Sequence, residues 1–336
     1  MHDRPHARLA WLATIAFLAC SHLPGASRYD ADFRGPGRLV LIFEPADPEA
    51  PRALVVQDEY GARELPITGA RGARWLSANE LLVSQETPSE EPYGLPRSQL
   101  LRVDVRSGRA SAIADPARYF DAEPDPRGER VAIGLELDDQ GESDLLVLAL
   151  GTPTLKPVAG RNQPLDRPRW SPDGRSLVVL RTLPDPENEE IDSGLSFGGQ
   201  EISWPRLFRV ASDLRGALAP LRDGDPGRAL AAGGSLPLFW SARGIFARQR
   251  RGLVRCDPAG SGCTLVWAPG GQKRVVDARA AGGNHALALV RDHAVRSELD
   301  LPRELHRVEL DSGRSELLFT TPADLYLADI DWVDAP

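Results

Sequence analysis

Lysine is almost missing from this 336-residue chain: it occurs only at Lys156 and Lys273, so 38 of the 40 basic residues are arginine. With a single methionine, that usage fits the codon bias of a GC-rich genome, and arginine clusters alone are weak evidence for phosphate or carboxylate recognition. An excess of positive charge is missing as well. The net charge of −8 argues against nucleic acid, whose binders need a basic face to neutralise phosphates. Long apolar runs are absent: Leu9 to Ala19 spans eleven residues, against the roughly 20 that cross a bilayer as a helix. A permanent transmembrane helix is therefore not expected. Beyond that run no stretch sustains helical spacing of apolar residues, which excludes a helical fold. Cysteine is scarce, with three in all, and no second Cys or His pair stands near them, so a zinc site is not expected.

Glycine and proline, by contrast, are plentiful, at 31 and 29 residues spread along the chain. That distribution predicts many turns and no single linker. The hydrophobic share of 42% and charged share of 26% are ordinary for a globular protein. The length admits two average domains or one large all-β domain. Residues 1–27 read as an export signal, with Arg4 and Arg8 ahead of the apolar run and a break at Ser21-His22-Leu23-Pro24-Gly25. Phe17-Leu18-Ala19-Cys20 resembles the lipobox of bacterial lipoproteins, which would make Cys20 the acylated first residue. Cleavage after Ser27, giving a secreted form, is the competing route, and a lone cysteine in a discarded peptide is a third.

With Cys20 set aside, Cys256 and Cys263 form the remaining pair. They flank a turn-rich hexapeptide, Asp257 to Gly262, between two short apolar strands, and in an exported protein they are expected to close a disulfide across a hairpin. On the chain-entropy account such a small loop contributes about 2.5 kcal/mol.

The stretch Trp170-Ser171-Pro172-Asp173-Gly174, followed by Leu177-Val178-Val179-Leu180, predicts a tight turn leading into a strand buried on both faces. Degenerate relatives recur. Aligning on the Trp170 position gives residues 33, 75, 124, 170, 240, 279 and 332, with steps of 42, 49, 46, 70, 39 and 53. Most steps lie near the forty-odd residues of a four-stranded propeller blade. A second repeated unit pairs Gln99 to Arg109 with Glu304 to Arg314; each is an alternating strand, a polar turn with glycine and a further strand.

These units resemble the repeats of TolB-type, WD40-like β-propellers over roughly residues 33–336. The resemblance implies an all-β, six-bladed propeller occupying residues 28–336. The C-terminal segment Leu325 to Trp332 is expected to close the ring at the inner position of blade one, beside Arg38 to Glu44 and Ala53 to Gln57. Seven blades are the alternative, since the step of 70 could hide one. The preferred reading places an acidic loop insertion there, at about residues 183–203, projecting from blade four.

Candidate chemistry is sparse. Gly194-Leu195-Ser196-Phe197-Gly198 matches a nucleophile-elbow pattern without its strand–turn–helix setting, and a chance match is the reading. His285, His293 and His306 show no ligating spacing. Asp138, Asp139 and Asp144 could offer oxygens to calcium, yet they lack the spacing of a calcium loop and fall where the repeat needs a turn, so no cofactor is expected. Asp104 and Asp311 read as strand-end residues in equivalent repeat positions. No catalytic set emerges.

The resemblance implies a protein-interaction platform in a bacterial envelope, periplasmic or at the outer membrane, touching the membrane only through a lipid anchor and monomeric. TolB itself carries an extra α/β domain ahead of its propeller, so a Tol-system role does not follow. A small-ligand binder or metal-dependent hydrolase using the axial pocket is the alternative. Peptidase activity of the prolyl-oligopeptidase type is not expected without a hydrolase domain.

Overall fold

The computed structural model describes residues 37–58, 61–87, 97–136, 143–151, 156–162, 165–184, 203–215, 217–221, 236–249, 252–259, 262–292 and 301–334. Six four-stranded antiparallel sheets account for every named strand. Blade one opens with β1 (Arg38–Pro45), β2 (Ala53–Asp58) and β3 (Gly61–Thr68). Blade two holds β4 (Ala70–Ser77), β5 (Glu80–Thr87), β6 (Arg97–Asp104) and β7 (Ala110–Ala112). Blade three is β8 (Arg118–Pro124), β9 (Arg130–Glu136), β10 (Ser143–Ala149) and β11 (Lys156–Asn162). Blade four follows with β12 (Leu165–Trp170), β13 (Ser176–Pro184), β14 (Ser203–Ala211) and β15 (Ala219–Pro220). Blade five contains β16 (Leu236–Ser241), β17 (Gly244–Gln249), β18 (Gly252–Cys256) and β19 (Cys263–Trp267). Blade six comprises β20 (Lys273–Ala280), β21 (His285–Asp292), β22 (Glu304–Glu309) and β23 (Ser315–Thr320). The last strand, β24 (Leu325–Val333), returns to blade one and pairs with β1 from Arg38↔Val333 to Pro45↔Leu325.

This is the six-bladed ring with C-terminal closure that the repeats predict, and the step of 70 residues falls inside blade four, between β12 and β16. Pro184 still pairs with Ser203 at the end of the β13–β14 hairpin; the acidic segment between them lies outside the described residues. Closure by β24 removes the open edge that β1 would otherwise present.

The packing explains why the second strands are unbroken apolar runs. Alternate side chains of one strand serve two different seams, because each blade is sandwiched between neighbours. On β1, Leu39, Leu41 and Phe43 pack toward blade six, while Val40 and Ile42 pack toward blade two. On β13, Leu177 and Val179 join the seam with blade three, and Val178 and Leu180 the seam with blade five.

The Ser-Pro-Asp-Gly turn is built from its own side chains. The Ser171 hydroxyl donates to Asp173 at 2.6 Å and accepts from the Ser176 amide at 2.9 Å. Gly174 closes the turn by donating to Ser171 O, at a φ of 69° that disfavours any side chain. Trp170 then reaches sideways: its indole N–H donates to the Glu123 carbonyl of blade three at 2.8 Å, and Arg130 lies 4.6 Å over its ring. In blade three Asp125 takes the place of Ser171, accepting from the amides of Glu129 and Arg130.

Asp104 accepts from Ser107 at the end of β6, but its structural counterpart in blade six is Glu309, which accepts from Ser312 and Arg314. Asp311 instead reaches across to Arg243 of blade five. The expected equivalence of Asp104 and Asp311 is corrected accordingly: Asp311 lies two positions beyond the residue equivalent to Asp104, and the Gly108 and Gly313 turns fix that register.

Candidate functional site

The six innermost strands β4, β8, β12, β16, β20 and β24 surround the axis, and each carries an extra residue relative to its partner strand, β4 having a second at Leu76. The register shifts bracket Arg71, Asp121–Ala122, Arg167–Pro168, Leu238, Val276 and Ala328. A β-bulge turns a side chain out of the alternating pattern, so residues that would face a seam can face the axis. Asp121 and Arg167 hold positive φ, 51° and 49°, at two of these bulges. Such backbone costs of order 1–3 kcal/mol for a non-glycine residue, and it clusters where function over-determines the geometry.

The bulges line an open cavity of about 340 Å³ at the end of the channel where the inner strands begin. Six arginines face it, Arg71, Arg74, Arg167, Arg169, Arg248 and Arg279, beside the carboxylates of Asp121, Asp277 and Asp329. Tyr119, Phe120, Leu82, Val276 and Ala328 supply an apolar part of the wall. Phe120 lies across β9 where its partner is Gly134; a Cβ there would fall 2.1 Å from the ring.

Below the cavity the charges interlock. Glu123 Oε2 is 3.4 Å from Arg74, 3.5 Å from Arg279 and 3.6 Å from Arg169, drawing together blades two, six and four. Asp329 of the closing strand pairs with Arg74 at 2.5 Å and accepts from the Ala73 amide at 3.0 Å. Asp331 accepts from the Trp75 amide at 2.8 Å. Burial pushes the Asp331 carboxyl up to about 6, against the pull of Arg74 and Arg279. Arg169, 2% exposed, is pushed down to about 10 by burial and then by the like charge of Arg279, so it remains a cation at neutral pH. Asp277 is pushed up by burial, yet Arg279, Arg169, Arg74 and Arg167 outweigh that and hold it below the usual carboxylate range.

None of these axial residues is a site candidate in the sequence, where residue 279 figures only as a repeat position. The bulges depend on pairing with neighbouring strands and carry no turn residue to mark them. One signal was present: charged residues recur within apolar inner strands, as in Leu165-Asp166-Arg167-Pro168-Arg169-Trp170.

The residues that were singled out lie elsewhere. Trp170, Ser171, Pro172, Asp173 and Gly174 stand at the opposite end of the channel. Cys256 and Cys263 face each other across β18 and β19, joined by a disulfide. Asp144 lies on β10, whereas Asp138, Asp139, Ser196, His293 and Cys20 lie outside the described residues. His306 contacts Glu304 at 2.9 Å, away from the axis on β22. Among the described residues no group of three or more His, Cys, Asp or Glu is gathered so as to hold a metal ion.

The fold and its axial cavity define a six-bladed β-propeller with a charged central channel. No protein-family model and no curated protein matches the sequence. Solved structures do match. The chain is similar to TolB from Acinetobacter baumannii, with a TM-score of 0.60, 14% identity and coverage of 96% of this chain and 71% of that one. A structure assigned as TolB from Agrobacterium tumefaciens gives a TM-score of 0.56 at 15% identity, covering 90% of this chain and all of the other. The β-propeller domain of the Trilobed protease from Pyrococcus furiosus gives 0.53 at 11% identity, covering 88% and 97%. That domain has an open velcro topology, whereas here β24 closes the ring. The fold is TolB-like.

Proposed function

We propose that this protein is an exported β-propeller that works by binding, as an interaction platform for another protein of a bacterial envelope. The observation that carries the reading is the construction of one face. There the six bulged inner strands present a charged and partly apolar mouth, and at the same end the second strand of every blade finishes and the third begins. The likeness to TolB over nearly the whole chain supports an envelope setting. The Cys256–Cys263 disulfide suits an oxidising compartment. Anchoring through Cys20 is part of the proposal; two acyl chains or more would make attachment stable where one is marginal.

The test is capture of the tagged, full-length protein from its own envelope. Amine-directed crosslinkers suit it poorly, since only two lysines are present, so a carboxylate-directed reagent is used. A reproducible, near-stoichiometric partner supports the platform; none at full expression sinks it. Intact mass of the recovered protein checks the anchor. A chain beginning at acylated Cys20 supports it, and an unmodified chain beginning at Arg28 replaces it with a secreted form.

A further inference from the structure

The axial cavity has an uneven charge distribution. Arg71 pairs with Glu86 at 2.7 Å, and Arg74 is held by Asp329 and Glu123. Arg169 donates Nε to the Leu238 carbonyl at 2.6 Å and Nη1 to the Pro168 carbonyl at 2.8 Å. Arg279 donates Nη1 to the same Leu238 carbonyl at 3.0 Å, so two cations converge on one bulge oxygen. The Nε and Nη2 atoms of Arg279 make no hydrogen bond although the residue is only 3% exposed; Asp277 stands 3.7 Å from Nη2. Arg248, whose Nη1 donates only a long 3.4 Å hydrogen bond to the Val276 carbonyl and whose pKa is lowered by burial and then by Arg167 and Arg274 against the pull of Asp277, and Arg167, at its left-handed bulge, complete a cationic wall contributed by blades four, five and six. A buried donor edge without an acceptor is costly, and the repulsion among these cations is relieved only by negative charge.

We propose that this cavity binds a small organic oxyanion, a carboxylate or phosphate carried on an apolar body, held by Arg167, Arg248 and the Nε–Nη2 edge of Arg279. Guanidinium forks match both groups bidentately. Tyr119, Phe120 and Leu82 line the same cavity and receive the apolar part, and about 340 Å³ lies at the small end of ligand sites. A cation is disfavoured, because two of the three lining carboxylates, Asp329 and Asp277, stand beside the guanidiniums of Arg74 and Arg279.

The experiment uses purified protein alone, so its failure is distinguishable from failure of the platform reading. Calorimetric titration with benzoate, succinate, phenyl phosphate and inorganic phosphate is compared with benzyl alcohol as the neutral control. Saturable binding of benzoate or phenyl phosphate is expected, with the preferred member of that pair distinguishing carboxylate from phosphate. Arg248→Gln and Arg167→Gln are expected to weaken it by roughly tenfold or more, with unchanged circular dichroism and thermal midpoint certifying the fold. Arg248→Lys, which keeps the charge but loses the fork, is expected to recover only part of the affinity. No saturable binding of any anion at millimolar concentration, equal binding of benzyl alcohol, or affinity unchanged in both folded glutamine variants would overturn the proposal.

Discussion

Glu123 does two jobs at once. Its carbonyl receives the Trp170 indole from blade four, and its carboxylate stands within 3.6 Å of three guanidiniums from three blades. Replacing it with glutamine keeps the shape and leaves those cations short of one negative charge, so Glu123→Gln is expected to cost about 3 kcal/mol, read as a lower urea midpoint. Asp331 predicts the opposite pH behaviour from an ordinary surface carboxylate. Its folded pKa, raised to about 6, exceeds the unfolded value near 3.9, so the folded state binds the proton more tightly. Stability from this group is present at low pH and lost as pH rises through that window. Asp331→Asn mimics the protonated form. The stability of the variant relative to the parent is expected to rise between pH 4 and pH 7 by up to about 3 kcal/mol, an upper limit because the side chain is partly exposed. Denaturant unfolding of both proteins at the two pH values reads the sign directly.

At the scale of the element, what was legible depended on whether the cause is local. The Trp170–Gly174 turn and its blade-three relative at Asp125–Gly128 could be read because their hydrogen bonds close within five or six residues. The buried second strands could be read because sandwiching between two seams forces continuous apolar runs. The axial bulges could not, since a bulge is a relation between two strands, and residues such as Val276 and Ala328 look ordinary in sequence. The Asp104–Asp311 pairing failed for a related reason: Glu309 occupies the strand end, and two acids separated by one residue are hard to place by eye. The two turn glycines separate local strain from packing. Gly174 and Gly128 share φ values of 69° and 66°, but a Cβ on Gly174 meets the flexible end of Arg130 at 3.3 Å, whereas on Gly128 it meets the Leu76 carbonyl at 2.6 Å. Gly174→Ala is expected to cost about 1 kcal/mol for the left-handed backbone. Gly128→Ala should cost distinctly more, as thermal midpoints of the two variants would show; equal losses would mean the blade-two backbone yields.

For the whole molecule, ring closure and the axial site share a strand. β24 supplies buried Leu325, Leu327 and Ile330 to the seam between blades one and six, and it also carries Asp329 and Asp331 into the axial charge cluster. Blade count and closure were legible in the spacing of the repeats, because a ring of equal units imposes a period on the chain. The binding face was not, because convergence on an axis is invisible until six strands are arranged around it. That face is the central claim, and the most direct measurement places a photo-crosslinking residue at one end of the channel or the other. Arg71 is exposed at the cavity mouth, and Arg175 is exposed at the Ser-Pro-Asp-Gly turn of the opposite end. A near-stoichiometric protein adduct is predicted from position 71 and none from position 175 in the native envelope. Adducts from position 175 alone, equal adducts from both, or none from either would contradict the account.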